Sequence, residues 1–251
     1  MAAFEPFIDG ATLMHSPQFC VMALLTYVLA VLLGPSFMKN RTAHNLKQVL
    51  WMYNLLQIIL NVALLFKLLE FLPQIKKLTC IPPLQRNDIY VNNTLKAHYY
   101  YFLLKILDFA DTLFMILRKR SHQISPLHVY HHISTFAVAW YCGVCYPGGY
   151  ALLVGFWNTL VHAVMYGYYF LTSLKGSNQV SVTWKKYVTI LQLIQHWFIL
   201  CSVTSALFNP ECTYSKKFLC VAVTNLVILI CFFTKFYLEN YVSVKKTAKS
   251  K

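Results

Sequence analysis

From Gln123 to Leu174 the chain runs for 52 residues without one Asp, Glu, Lys or Arg. A run of this length is enough for two bilayer crossings of about 20 residues each. Pro147-Gly148-Gly149 in its middle is a turn signal. The stretch therefore reads as a helical hairpin in a membrane. Composition points the same way: 58% of the residues are hydrophobic and 12% charged. Soluble domains average about 45–50% apolar and about 25% charged. This balance argues against a soluble globular enzyme, a disordered chain or a coiled coil. Only 8 glycines argue against low complexity or collagen. The aromatic share, 16%, suits membrane interfaces and apolar tunnels.

Seven apolar runs are expected to span, at about 17–38, 48–72, 98–117, 124–143, 150–171, 184–208 and 216–240. They are too long and too uniformly apolar for barrel strands, so helices are expected. The segment before the first run holds Glu5 and Asp9 and no basic residue, unlike a secretory signal. Residues 73–97 are polar, contain Pro82-Pro83 and read as a loop. Residues 1–251 read as one membrane domain, with 241–251 as a basic tail.

The net charge of +14 comes from 22 Lys and Arg against 8 Asp and Glu. In water such a charge suggests nucleic acid. In a membrane protein it is expected from loops that obey the positive-inside rule and lie near anionic lipid, so no nucleic acid is expected. In a seven-span arrangement one side receives Lys39, Arg41, Lys47, Arg118, Lys119, Arg120, Lys175, Lys185, Lys186 and the four lysines of the tail. The other side receives Lys76, Lys77, Arg86, Lys96, Lys216 and Lys217. The richer side should be cytosolic, with the N-terminus lumenal or external and the C-terminus cytosolic. The sequon Asn92-Asn93-Thr94 then falls on the lumenal side and Asn40-Arg41-Thr42 on the cytosolic side. Of eight cysteines, Cys80 and Cys212 alone fall in expected lumenal loops, where oxidation is available, and a Cys80–Cys212 disulfide is expected. Cys142-x-x-Cys145 has no second pair and reads as packing.

Polar groups in hydrocarbon should face the protein interior. Each of five expected spans carries a polar stripe at helical spacing. These are Asn54, Gln57 and Asn61; Lys105, Asp108, Asp111 and Thr112; His128, His131 and His132 with Thr135; Asn158, His162, Tyr166 and Tyr169; and Thr189, Gln192 and His196 with Gln195 to one side. The Asn54 stripe is accounted for by interhelical hydrogen bonding, worth about 0.6–2 kcal/mol. Three histidines near a lysine and two aspartates carry too much desolvation cost for that role. The histidine cluster admits two chemistries. One is metal binding, as in membrane di-iron desaturases and hydroxylases, but only one HxxHH box is present. A mononuclear site of His128, His131, His132 and His162 stays open. The other is metal-free, with histidine as base, acid or acyl acceptor and the aspartates setting its tautomer.

Four motifs stand in order: Lys105-x-x-Asp108-x-x-Asp111-Thr112, His128-Val129-Tyr130-His131-His132, Asn158-x-x-x-His162-x-x-Met165-Tyr166-x-Tyr168-Tyr169, and Thr189-x-x-Gln192-x-x-Gln195. They resemble the fatty acid elongases of very-long-chain synthesis. The likeness extends upstream to Gly34-Pro35, Arg41 and Tyr53-Asn54. One departure is Asp108, where the family more often has Glu. It keeps the charge on a shorter arm, so activity is expected to be retained with adjusted geometry.

The resemblance implies an all-α endoplasmic-reticulum membrane protein whose seven transmembrane helices enclose an acyl-chain tunnel. It implies condensation of acyl-CoA with malonyl-CoA to a 3-oxoacyl-CoA two carbons longer, with release of carbon dioxide and CoA and without metal or other cofactor. The expected catalytic set is His128, His131, His132, His162, Asp108 and Asp111. Expected substrate contacts are Lys105, Asn158, Tyr166, Gln192, Gln195, Arg118 and Lys119, with Lys105 holding a carboxylate or phosphate. His131 is expected to take the acyl group, and Asn158 or Gln192 to donate to the oxyanion. Other expected partners are membrane lipid, a second copy of the chain and the later enzymes of the elongation cycle. The competing enzyme class is a metal-dependent lipid desaturase or hydroxylase.

Overall fold

The computed structural model describes residues 13–71, 78–83, 91–175 and 182–243. Among these the chain is helix and turn, with no β-strand and one isolated bridge between Pro83 and Gly148. The helices are α1 (Pro17–Met38), α2 (Lys47–Leu69), α3 (Val91–Leu107), α4 (Phe109–Leu117), α5 (Pro126–Cys145), α6 (Gly149–Lys175), α7 (Val182–Phe208) and α8 (Lys216–Tyr237). Local chemistry sets several starts. Ser16, Ser125 and Ser215 each accept a backbone N–H of the first turn, from Phe19, His128 and Phe218. Pro17 and Pro126 follow two of these caps, at a position where no N–H is needed.

The third apolar run is covered by two helices. Asp108 N–H still bonds Leu104 O at 2.9 Å, but Asp111 N–H bonds Asp108 O, three residues back, at 3.2 Å. This tightening breaks the ladder between α3 and α4. Helix α3 also begins at Val91, inside the segment expected to be loop, and Thr94 of the sequon is fully buried. Helix α4 ends with Lys119 at φ 55°, a left-handed conformation. Arg120 N–H bonds Met115 O at 2.8 Å and Lys119 N–H bonds Ile116 O at 2.9 Å, the paired closure of a Schellman motif.

Six helices close a ring in which α2 packs on α3, α3 on α5, α5 on α8, α8 on α7, α7 on α6 and α6 on α2. The helical hairpin expected over Gln123–Leu174 is present as α5 and α6, but its two arms are not packed side by side. Instead they meet little beyond their turn, because α3 and α8 take the two flanks of α5 and α2 and α7 those of α6. Helix α1 lies outside the ring against α4. Gly34 permits that approach: a Cβ there would stand 2.8 Å from Ile116 Cδ1.

One end of the bundle gathers the basic loops. Lys119 Nζ donates to Lys39 O at 2.9 Å, His44 N–H bonds Leu117 O at 3.0 Å, and Lys185 and Lys186 lie over Phe236 and Tyr237. The other end holds residues 78–83, the α5–α6 turn and the α7–α8 turn. There Cys80 and Cys212 form a disulfide with Cα atoms 5.5 Å apart. Tyr150 and Ser202 hydroxyls donate to Leu78 O, and Gly148 N–H donates to His98 Nε2 at 2.8 Å.

The distribution of side chains is that of a multi-pass membrane protein. Helix α1 exposes Met22, Leu25, Leu29, Leu32, Leu33 and Phe37, whereas Asn54, Gln57, Asn61, Lys105, Asp108 and Asn158 are buried. Water would reverse that arrangement; lipid favours it. Among the described residues four helical segments are long and apolar enough to cross a bilayer: Pro17–Met38, Lys47–Leu69, Thr183–Phe208 and Lys216–Val242. Helices α5 and α6 are more polar because they carry the histidines, Asn158 and many tyrosines. Leu72, most of the loop before α3 and residues 244–251 of the basic tail lie outside the described residues.

Candidate active site

The site grows from the break at Asp108. That break turns two carboxylates and a lysine of one segment inward together. Lys105 Nζ, 2% exposed, donates to Asp108 Oδ2 at 2.7 Å and to Asn158 Oδ1 of α6 at 2.7 Å. Tyr101 hydroxyl donates to the same Asn158 oxygen at 3.1 Å. With its oxygen so committed, the Asn158 amide keeps its NH2 group as donor. Asp108 Oδ1 accepts from Gln57 Nε2 at 2.9 Å and from Tyr166 hydroxyl at 3.1 Å. Gln57 also donates to Tyr53 hydroxyl at 2.9 Å, and Asn61 donates back to Gln57. The same Tyr166 hydroxyl lies 2.7 Å from Asp111 Oδ2, and its single proton serves one of the two aspartates at a time. A buried ion pair is stable only when its remaining lone pairs and protons are matched, and the α2 and α6 stripes do this matching.

The histidines stand beside this network. His128 and His132 rings are 4.2 Å apart, and His131 lies 5.8 Å from His132 and 6.2 Å from His162. His162 Nδ1 is 3.7 Å from Asp108 Oδ2 and has no hydrogen-bond partner in the described structure. His128 Nε2 is 2.7 Å from Thr112 Oγ1, which also donates to Tyr27 hydroxyl at 3.2 Å. Thr112 has one proton to give; when it goes to Tyr27, His128 Nε2 must carry the ring proton. His132 and His162 are buried; His128 and His131 are only half-buried.

The structure thus brings together His128, His131, His132, His162, Lys105, Asp108, Asn158 and Tyr166. Thr112, not a carboxylate, holds His128, and Asp111 is held by Tyr166 rather than placed on a histidine. Lys105 Nζ is bound to Asp108 and Asn158 and lies 5.0 Å from the Tyr101 ring. Arg118 and Lys119 lie at the basic end of the bundle. Lys119 ends α4 and binds Lys39 O. Gln195 is buried on α7, and half-buried Gln192 donates to Met165 Sδ at 3.7 Å. Tyr169 turns outward.

Sequence reasoning put His196 and Gln57 on inward stripes and Tyr53 in the family likeness, but gave none of these, nor Tyr101, a role in the site. His196 Nδ1 is 2.6 Å from Gln192 O, which places the ring proton on Nδ1 and leaves Nε2 free as a base. Its ring lies 4.9 Å from Phe233, which in turn lies 6.0 Å from His131. The available signal was the polar stripe on α7. For Gln57 the signal was its stripe on α2, taken as ordinary interhelical bonding.

Comparison with known proteins agrees with this geometry. A sequence model of the GNS1/SUR4 family matches residues 12–250. The chain is 35% identical over 240 residues to very long chain fatty acid elongase F of Drosophila melanogaster, covering 93% of each protein. It is 32% identical to very long chain fatty acid elongase 5 of Mus musculus, over 86% of this chain and 71% of that protein. It is 31% identical to very long chain fatty acid elongase 4 of Homo sapiens, over 97% of this chain and 78% of that protein. The match runs through all four motifs and both ends of the helical ring, and this chain belongs to the GNS1/SUR4 family of fatty acid elongases.

Proposed function

We propose that the chain condenses a long-chain acyl-CoA with malonyl-CoA to give a 3-oxoacyl-CoA two carbons longer, as a very-long-chain fatty acid elongase. What carries the reading is the meeting of the α5 histidines with His162 beside the Lys105–Asp108 pair, inside a six-helix ring. The protein acts in the endoplasmic reticulum as a single membrane domain of seven spans, with its N-terminus lumenal. The acyl chain lies within the ring, and the basic end takes the anionic CoA portion from the cytosol.

In the proposed chemistry an imidazole nitrogen of His131 attacks the thioester carbon. The thiolate leaves and is protonated as CoA, and the acyl group stays on His131 as an acyl-imidazole. His131 is chosen because it is half-buried, whereas His132 is covered by the Tyr27 and Phe109 rings. Malonyl-CoA then loses carbon dioxide, leaving its electron pair on the alpha carbon. That carbon attacks the acyl-imidazole, and collapse expels the imidazole and releases the 3-oxoacyl-CoA. The Asn158 NH2 group donates to the oxyanion in this scheme, and His162 and His196 move protons. No metal or other cofactor takes part in this scheme. A metal-dependent desaturase or hydroxylase gains no support: the named relatives are elongases.

The test is condensation in microsomes from cells expressing the chain, with labelled malonyl-CoA and a panel of acyl-CoAs. Labelled product two carbons longer, absent with His131→Ala, supports the reading. Activity retained in that variant, or no acyl label trapped on protein without malonyl-CoA, would sink the acyl-histidine step.

A further inference from the structure

Helix α1 stands outside the ring, yet one of its side chains reaches the histidines. The buried residues of α1 are Cys20, Tyr27 and Met38. Cys20, Tyr27 and Gly34 follow one another at intervals of seven residues, two helical turns, and so share one face. Gly34 brings that face against Ile116 of α4, and Tyr27 stacks on Phe109 of the same helix with ring centroids 4.3 Å apart. The Tyr27 ring also lies 6.1 Å from the His132 ring. A buried tyrosine hydroxyl needs a polar partner, and this one finds Thr112.

Thr112 joins Tyr27 to His128. Its hydroxyl donates to Tyr27 hydroxyl at 3.2 Å and lies 2.7 Å from His128 Nε2. With the Thr112 proton spent on Tyr27, the Thr112 oxygen accepts from His128 Nε2–H, and Nδ1 keeps its lone pair. Without the Tyr27 oxygen the Thr112 proton is free to turn onto Nε2. The ring proton then moves to Nδ1 and that lone pair is lost. The Tyr27 oxygen is thus the end of a chain that chooses the tautomer of His128. The backbone of His128 is fixed as well, since its N–H donates to Ser125 Oγ at 3.2 Å. Filling space beside Phe109 and His132 would need the ring of Tyr27 but not its hydroxyl.

We infer that Tyr27 is a positioning residue of the condensation: through Thr112 it holds the His128 proton on Nε2 and keeps Nδ1 able to accept a proton. The inference rests on the functional reading above and adds to the site a residue from the helix outside the ring.

The experiment measures kcat and KM for condensation with labelled malonyl-CoA, and the melting temperature, for purified wild type, Tyr27→Phe, Thr112→Val and the double variant. Tyr27→Phe keeps the stacked ring and removes one oxygen, so its melting temperature should stay near that of wild type. Its kcat should fall by about 100-fold with KM for both substrates unchanged, because a histidine held in the wrong tautomer loses far more than one merely untethered. Thr112→Val leaves the ring to take either tautomer, and the expected fall is about tenfold. The double variant should recover to the level of Thr112→Val, about tenfold faster than Tyr27→Phe alone, since no hydroxyl remains to force the proton onto Nδ1. A packing role gives losses that add instead. The inference is overturned by an unchanged kcat in Tyr27→Phe, by a double variant no faster than Tyr27→Phe, or by a loss of kcat that follows a loss of folded protein. A rise in KM alone puts Tyr27 in binding and overturns it too. Wild type with no product overturns the functional reading itself, whereas an active wild type with unaffected variants overturns this inference alone.

Discussion

Asp108 is the residue on which the site turns. It receives Lys105, Gln57 and Tyr166 directly and faces His162. Asp108→Ala leaves Lys105 buried with an unmatched charge, so stability should fall by about 3–5 kcal/mol. Thermal unfolding in detergent reads this. Asp108→Glu restores the commoner family residue and keeps the charge; it should fold and condense at a rate within a few-fold of wild type. A dead Asp108→Glu variant with a wild-type melting temperature would show that the shorter arm is required here. Thr112→Val removes one hydrogen bond to His128, about 1–1.5 kcal/mol, so kcat should fall about tenfold with KM unchanged. A rise in KM alone would place Thr112 in binding rather than in holding the imidazole. The stripes at Lys105, His128 and Asn158 were legible from residue spacing, because helical periodicity is local. The partner of each group was not. Asp111 looked equivalent to Asp108 in sequence, and only the helix break gives Asp108 the Lys105 ammonium and leaves Asp111 to tyrosine hydroxyls.

The ends of the elements carry two tests. Lys119 closes α4 in a left-handed conformation that disfavours side chains by about 1 kcal/mol. Lys119→Gly should leave stability unchanged or raise it by about 0.5–1 kcal/mol, since the bond to Lys39 O is solvent-exposed. If Lys119 also contacts CoA, the same variant will raise KM for acyl-CoA without lowering the melting temperature. Gly149 opens α6 at φ 54°, and a Cβ there would press on Ile81 O at 2.7 Å and Pro82 O at 2.8 Å, as well as on the Tyr214 hydroxyl. Gly149→Ala should therefore destabilise by more than about 2 kcal/mol, because backbone carbonyls cannot swing aside as a side chain can. The turn at Pro147-Gly148-Gly149 was evident from its residues. That it crosses the ring rather than folding α6 back onto α5 was not, since a turn signal marks a reversal and leaves the partners of each helix open.

For the whole molecule the strongest constraints join distant parts of the chain. The Cys80–Cys212 bond closes a separation of 132 residues, and its loss should lower stability by about 2–4 kcal/mol, read as a lower melting temperature for Cys212→Ser. The excess of basic residues at one end makes that end cytosolic in the proposed topology. In sealed microsomes an N-terminal tag should resist added protease and a C-terminal tag should be cleaved. Cleavage of the N-terminal tag alone would invert the topology. The number of apolar runs, their lengths, the basic bias and the ordered polar motifs can all be read from the linear chain, because each depends on neighbours within a few turns and on the preference of apolar residues for lipid. Which helices are neighbours cannot be read there. A polar stripe says that a helix has an inward face, but many orders of six helices bury five such faces. The ring order, the pairing of Gln57 and Tyr166 with Asp108 and the approach of His196 follow from side-chain packing across helices far apart in the chain, and that packing exists only in the folded protein.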